Sequence, residues 1–217
     1  MAANQDPHAG QPVLTDGARL ADARLGVILV HGRGASAEDI LGLAHELRVT
    51  DVAYLAPQAA GHTWYPYSFL SPIEQNEPGI TSAMGVLSRL VEECGRHGLG
   101  PDRVAFLGFS QGACLSLEFA ARHARRYAGV FGLSGGLIGP PGTARNYRGA
   151  FDTTPVFLGC SDIDAHVPLD RVRESGEIFR RMGASVDERI YPEMGHTINE
   201  EEIEAVRAIL GTAGAAA

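Results

Sequence analysis

Short apolar runs alternate with amphipathic helical stretches along most of this chain, and that alternation leaves few folds open. Leu25 to Gly32 (LGVILVHG) is a β-branched run closed by glycine, as expected of a strand buried on both faces. Ser36 and Asp39 form a capping-box signature ahead of a helix that carries Ile40, Leu41, Leu43, Ala44 and Leu47 on one side. Asp51 to Pro57 reads as the next strand, and Ala83, Met84, Leu87, Leu90, Val91 and Cys94 mark a helix over Thr81 to His97. A central strand over Arg103 to Gly108 and a helix over Gln111 to His123 follow, then strands over Tyr127 to Ser134 and Thr154 to Cys160. A helix opens at Pro168, a residue tolerated in a first turn. Ser185 to Tyr191 alternates charges, which puts that strand near a sheet edge. A last helix starts from an Asn199 cap with Glu202 three residues on. Strands separated by helices pair in parallel, so the fold class is α/β: a mostly parallel central sheet with helices on both faces.

The chain has 217 residues, 45% of them hydrophobic and 20% charged, which suits one domain over residues 1–217 with flexible tails at about 1–12 and 212–217. A net charge of -8 repels a phosphate backbone, so nucleic acid is not an expected partner, and it opposes attachment to anionic membranes. No apolar stretch approaches the ~20 residues that cross a bilayer, and the opening MAANQDPHAGQP lacks the basic and apolar parts of a secretory signal. Cys94, Cys114 and Cys160 are widely spaced and form no CxxC pair, which fits reduced thiols in a cytoplasm and neither a disulfide framework nor a zinc site. No glycine-rich dinucleotide fingerprint follows a strand and no metal-ligand cluster is visible, so neither a cofactor nor a metal is expected.

Gly108-Phe109-Ser110-Gln111-Gly112 is a G-x-S-x-G between a strand and a helix. That context presents a serine on a strained turn, with small residues on both sides and helix N–H groups near the developing negative charge. The chain contains its own control. Gly132-Leu133-Ser134-Gly135-Gly136 matches the same pattern after a strand, but LIGPPGTA follows it, and Pro-Pro with glycines cannot continue as a helix. Ser110 is therefore the expected nucleophile and Ser134 a strand-end turn.

A serine hydroxyl needs a base to take its proton. In the α/β-hydrolase arrangement the partners follow in chain order Ser, Asp or Glu, His. His196, in the loop between the last strand and the last helix, is the expected base, and His166 reads as a surface residue. Asp162 and Asp164 both follow the strand ending near Cys160, and either can hold the imidazole tautomer. The small-residue loop HGRGAS (His31 to Ser36) suggests that the N–H of Arg33 joins that of Gln111 as an oxyanion hole, each donor worth roughly 3 kcal/mol in the transition state. His31 itself reads as structural. Gln58 to Gly79 is a long loop, of a size that is usually functional. Trp64, Tyr65, Tyr67 and Phe69 within it are expected to line a substrate pocket, with burial in the core as the equal alternative. The other connections read as short, which leaves no room for a large cap domain.

HGRGAS, GFSQGA, the Asp-x-x-Val-Pro of Asp164 to Pro168, and MGHTI together resemble the carboxylesterase/phospholipase family of α/β-hydrolases. That family includes acyl-protein thioesterases and short bacterial carboxylesterases. The resemblance runs over nearly the whole chain from about Leu25, with the motifs in family order. It implies Asp164 as the acid and Arg33 and Gln111 as oxyanion donors. The chain departs from the family at Cys160-Ser161, where relatives have His-Gly, and at Ala165, where they have proline. The implied activity is a serine carboxylesterase acting on small short- to medium-chain esters, as a cytoplasmic monomer or homodimer. An acyl-thioesterase or lysophospholipase with the same machinery is the enzymatic alternative, and a non-catalytic hydrolase-fold binding protein is the alternative from another class.

Overall fold

The computed structural model describes residues 6–214. Seven strands form one sheet: β1 (Val13–Gly17), β2 (Leu25–Val30), β3 (Val52–Pro57), β4 (Val104–Phe109), β5 (Gly129–Leu133), β6 (Pro155–Ser161) and β7 (Ser185–Tyr191). Their spatial order is β1-β3-β2-β4-β5-β6-β7, with β1 antiparallel to β3 and every other pair parallel. Five α-helices accompany it: α1 (Ala37–Leu47), α2 (Gly79–Arg96), α3 (Gln111–Arg122), α4 (Leu169–Arg181) and α5 (Glu200–Thr212).

The period of two along each strand divides the core. Ile28, Val30, Val104, Phe106, Val130, Val156 and Leu158 point to one face, where they meet Leu87 of α2, Leu115 and Phe119 of α3, and Val172 and Phe179 of α4. Val27, Leu29, Ala105, Leu107, Phe131 and Phe157 point to the other, against Ile40 and Leu47 of α1 and Val206 and Leu210 of α5. Both layers are needed because β2 to β6 are apolar on both faces. β7, with Asp187 and Arg189 paired at 2.8 Å, lies at a sheet edge.

From β2 the chain adds β3 on one side, then returns to add β4 on the other. The crevice beyond the carboxyl ends of β2 and β4 is therefore a topological switch point, the place where sheets of this kind accept ligands. Both capping boxes form: Ser36 with Asp39 at α1, and Asn199 with Glu202 at α5. Pro168 occupies the N-cap of α4, so the helix proper starts one residue later.

Three features differ from the sequence reading. β1 is an additional strand, held by pairing with β3. The tails expected at about 1–12 and 212–217 lie partly outside the described residues, but within the first of them His8 is buried rather than frayed. Its backbone N–H donates to Ser82 Oγ (3.0 Å), and its ring bridges Trp64 O (2.9 Å) and the Ala60 N–H (3.1 Å). The third difference is the β5–β6 connection, residues 134–154, which is as long as the loop after β3 and contains no helix. Distant side chains satisfy its backbone. Buried Glu118 accepts from the Ile138 N–H (3.1 Å) and the Tyr147 hydroxyl (2.9 Å), and the Arg171 guanidinium donates to Leu137 O (2.8 Å) and Gly139 O (2.6 Å).

Candidate active site

The turn between β4 and α3 can form only with glycine at both flanks. A Cβ on Gly112 would lie 2.0 Å from Val30 O, and one on Gly108 would lie 2.3 Å from the Gly112 carbonyl. The crossing of β4 and α3 over β2 therefore requires bare backbone at these two positions. Between them Ser110 takes φ 56° and ψ -118°, a conformation a residue with a Cβ adopts only under constraint from its surroundings. Its N–H donates to Leu133 O at 2.9 Å, which holds the strained residue to β5.

Ser110 Oγ lies 2.8 Å from His196 Nε2, and His196 Nδ1 lies 2.7 Å from Asp164 Oδ2. These residues come from three places on the carboxyl edge: the end of β4, the loop after β6 and the loop after β7. Asp164 is fully buried at its side chain. Its second oxygen accepts from the N–H groups of His166 (2.8 Å) and Val167 (3.1 Å). Burial would raise the Asp164 carboxyl, but the hydrogen bonds from His196, His166 and Val167 outweigh it and hold the group below its ordinary range. The acid is thus ionised near neutral pH, and His196 Nδ1 carries the proton that faces it. That leaves Nε2 with a lone pair for the Ser110 hydroxyl, an arrangement able to move a proton off the serine as it attacks.

Asp162 does not reach His196. Its Oδ1 accepts from the Glu193 N–H at 2.8 Å, and Ser161 Oγ accepts from the Gly195 N–H at 3.1 Å. The loop before Asp164 thereby tethers the loop that carries His196. Beyond His196 the same loop ends in the α5 capping box, where Glu202 is fully buried and its carboxyl is pushed up to about 7 by burial, against the opposing hydrogen bond from Asn199 N. A carboxyl whose folded value is raised holds its proton more tightly folded than unfolded, so its contribution to stability is present below its ordinary value of 4.5 and is lost as pH rises to about 7. Glu202→Gln is expected to flatten this dependence, narrowing the gap in Tm between pH 5 and pH 8 by about 5 °C. Equal pH dependence in variant and parent by thermal denaturation would show that Glu202 does not titrate there.

A cleft of about 580 Å³ opens beside Ser110 and His196, with Tyr65, Phe69, Val167 and Cys114 among its walls. The β2 loop borders it: a Cβ on Gly32 would lie 3.4 Å from Ser110 Cβ. Arg33 N–H and Gln111 N–H, the latter at the first position of α3, have no hydrogen-bond partner among the described residues. The side chains of both residues buttress the loop after β3. Arg33 donates to Thr63 Oγ1 (3.0 Å), Pro66 O (2.8 Å) and Tyr67 O (2.6 Å); Gln111 accepts from the Trp64 N–H (2.9 Å) and donates to Tyr65 O (2.8 Å). Gly139 N donates to Phe69 O at 2.7 Å, so the β5–β6 connection holds the opposite wall.

Trp64 is not on the cleft, contrary to the pocket-lining expectation. It is fully buried, donates from Nε1 to His31 O at 2.9 Å, and packs its ring against His31 and His8. An indole N–H in the interior needs an acceptor, and the carbonyl of the β2 loop supplies it. Tyr65, Tyr67 and Phe69 do line the cleft. His31 is buried with both nitrogens engaged, to Gly32 O (2.7 Å) and the Ala59 N–H (3.1 Å). Ser134 is buried, and its Oγ has no hydrogen-bond partner among the described residues, so no base reaches it. His166, read from sequence as a surface residue, is exposed but faces the cleft, with its ring 4.8 Å from that of His196. Among the described residues no three His, Cys, Asp or Glu side chains cluster as a metal site, and no helix is long and apolar enough to cross a membrane.

A seven-stranded, mostly parallel sheet with a serine on a strand–helix turn and a histidine and aspartate in hydrogen-bond reach defines an α/β-hydrolase. The phospholipase/carboxylesterase family model matches residues 21–213, and the chain belongs to that family. It is a hydrolase of carboxylic esters. A phospholipase/carboxylesterase from Dyadobacter fermentans is 42% identical, with a TM-score of 0.90 over 93% of this chain and 97% of that one. Acyl-protein thioesterase 1 of Emericella nidulans is 27% identical over 85% of this chain and 88% of its own length. The Gibberella zeae acyl-protein thioesterase 1 is 30% identical over 138 residues, 63% of this chain and 59% of that protein.

Proposed function

We propose that the chain is a single-domain serine carboxylesterase that hydrolyses short- to medium-chain esters through an acyl-enzyme on Ser110. The observation that carries this reading is the unbroken hydrogen-bond chain from Ser110 Oγ through His196 to buried Asp164 at the side of the cleft. Ser110 Oγ attacks the ester carbonyl carbon as its proton passes to His196 Nε2. The N–H groups of Arg33 and Gln111 take the charge that develops on the carbonyl oxygen. The tetrahedral adduct expels the alcohol, which leaves with the proton from Nε2. Water then gives a proton to His196, attacks the acyl carbon, and releases the acid while Ser110 regains its hydrogen. Asp164 keeps Nδ1 protonated and stabilises the imidazolium throughout.

The cleft volume of about 580 Å³ and the wall of Tyr65, Phe69 and Val167 support a preference for modest acyl chains. The three free, buried cysteines support a reducing cytoplasm as the place of action, and the net charge of -8 argues against nucleic acid as a partner. The protein works as a monomer or homodimer. A panel of aryl esters from acetate to laurate is expected to give the highest kcat/KM between acetate and octanoate, with no rate jump as substrate passes its solubility limit. A maximum at laurate or interfacial activation would contradict the open, modest cleft. The second reading is a thioesterase, favoured by the acyl-protein thioesterases among the relatives, and one acyl thioester in the same panel separates it. Failure to react with a fluorophosphonate would instead favour a non-catalytic binding protein.

A further inference from the structure

His166 belongs to neither the serine relay nor the oxyanion donors, yet it stands against the relay's base. The His196 ring contacts two others. Phe109 is 4.9 Å away at an interplanar angle of 35°, and His166 is 4.8 Å away in an edge-on contact at 67°. The backbone N–H of His166 donates to Asp164 Oδ1 at 2.8 Å while Asp164 Oδ2 meets His196 Nδ1, so one carboxylate ties the backbone at His166 to the His196 ring. Neither ring nitrogen of His166 has a hydrogen-bond partner among the described residues, and its side chain faces the cleft.

The titratable or charged groups that line the cleft with His166 are His196, Arg33, Tyr65, Tyr67 and Cys114, and Asp164 meets the His166 backbone N–H. The Asp164 carboxylate is committed to His196 and to two N–H groups. The Arg33 guanidinium is bound to the loop after β3. Burial pushes the Cys114 thiol up to about 12. Among the described residues no Asp or Glu side chain forms an ion pair with His166; Asp164 pairs with His196 instead.

We propose that His166 is a positioning residue for ester hydrolysis: its ring braces His196 in the geometry that meets Ser110, and its protonation opposes the imidazolium that forms on His196. The inference rests on the reading of His196 as the base. Neutral His166 offers the edge-on support alone. Protonated His166 puts a positive charge within about 5 Å of a ring that must itself become positive in the transition state, a like-charge contact that disfavours it. Histidine is the side chain whose charge changes near neutral pH, so this contact is one that pH can alter.

The test is the pH profile of kcat/KM on a neutral aryl butyrate for the parent, His166→Ala and His166→Phe, with His196→Ala assayed beside them. Parent and both His166 variants are expected to lose kcat/KM on the acid side with a logarithmic slope of about 1, because a like charge opposes the imidazolium equally in the resting enzyme and in the transition state. The limb of both variants is expected to lie at lower pH than the parent's. At pH 8, His166→Ala is expected to lower kcat about fivefold with KM little changed, and His166→Phe, which keeps a ring at this place, to recover most of that loss. An acid limb at the same pH in all three proteins, or a loss confined to KM, would overturn the inference. Should His166→Ala fail to fold, the position of the acid limb in His166→Phe decides the question. Turnover persisting in His196→Ala would instead remove the reading on which the inference stands.

Discussion

Ser110→Ala is expected to lower kcat by about six orders of magnitude, the scale on which loss of the nucleophile disables a Ser–His–Asp hydrolase. His196→Ala should cost nearly as much, and the double variant little more than either, because neither group has a role without the other. Both changes should leave the fold intact. Alanine keeps the Cβ that already tolerates φ 56° at position 110, and the serine N–H bond to Leu133 O is made by the backbone. Circular dichroism and Tm check the fold, and single-turnover kinetics check the chemistry. Turnover of Ser110→Ala within tenfold of the parent would mean that another group attacks the ester.

Asp164→Asn carries the second largest effect, about 10⁴ in kcat. An amide there keeps one oxygen for the His166 and Val167 N–H groups, but presents an NH₂ to His196 Nδ1. The imidazole then shifts its hydrogen to Nε2 and can no longer accept the serine proton. Asp162→Ala removes only the tie to the Glu193 N–H, so it should lower Tm by a few degrees and leave kcat within about threefold. An inactive Asp162→Ala beside a fully active Asp164→Asn would reverse the assignment of the two carboxylates.

Much of this arrangement was legible in the residues because it depends on short-range rules. The strands buried on both faces announce themselves as uninterrupted apolar runs, and the capping boxes at Ser36 and Asn199 are local hydrogen-bond patterns. Ser110 and Ser134 share a motif, and the residues immediately after each separate them: a helix can follow Gln111 but not Gly135-Gly136 with Pro140-Pro141 beyond. Chain order then leaves His166 and His196, and the place of His196 between the last strand and the last helix selects it.

What stayed hidden depends on partners far along the chain. β1 (VLTDG) has little apolar content of its own and exists through its pairing with β3 some forty residues later. The place of Trp64 is decided by the carbonyl of His31, and that of His8 by Trp64 and Ser82. The β5–β6 connection is ordered by Glu118 and Arg171, which belong to helices on either side of it in sequence. The order rule admits both His166 and His196 as base, and loop position, which favours His196, carries no information about the distance between the two rings. The two acids were separable only by resemblance, since both stand in one short loop; their opposite hydrogen-bond destinations appear only once β7 and the loop after it are in place.

The central claim, that Ser110 is the nucleophile of an ester hydrolase, is tested most directly by a fluorophosphonate. Attack forms an Oγ–P bond, expels fluoride, and leaves an adduct that does not turn over. Peptide mapping of the labelled protein is predicted to find one adduct, on Ser110, with labelling abolished in Ser110→Ala and slowed severely in His196→Ala. An adduct on Ser134, or labelling that survives in Ser110→Ala, would contradict the account.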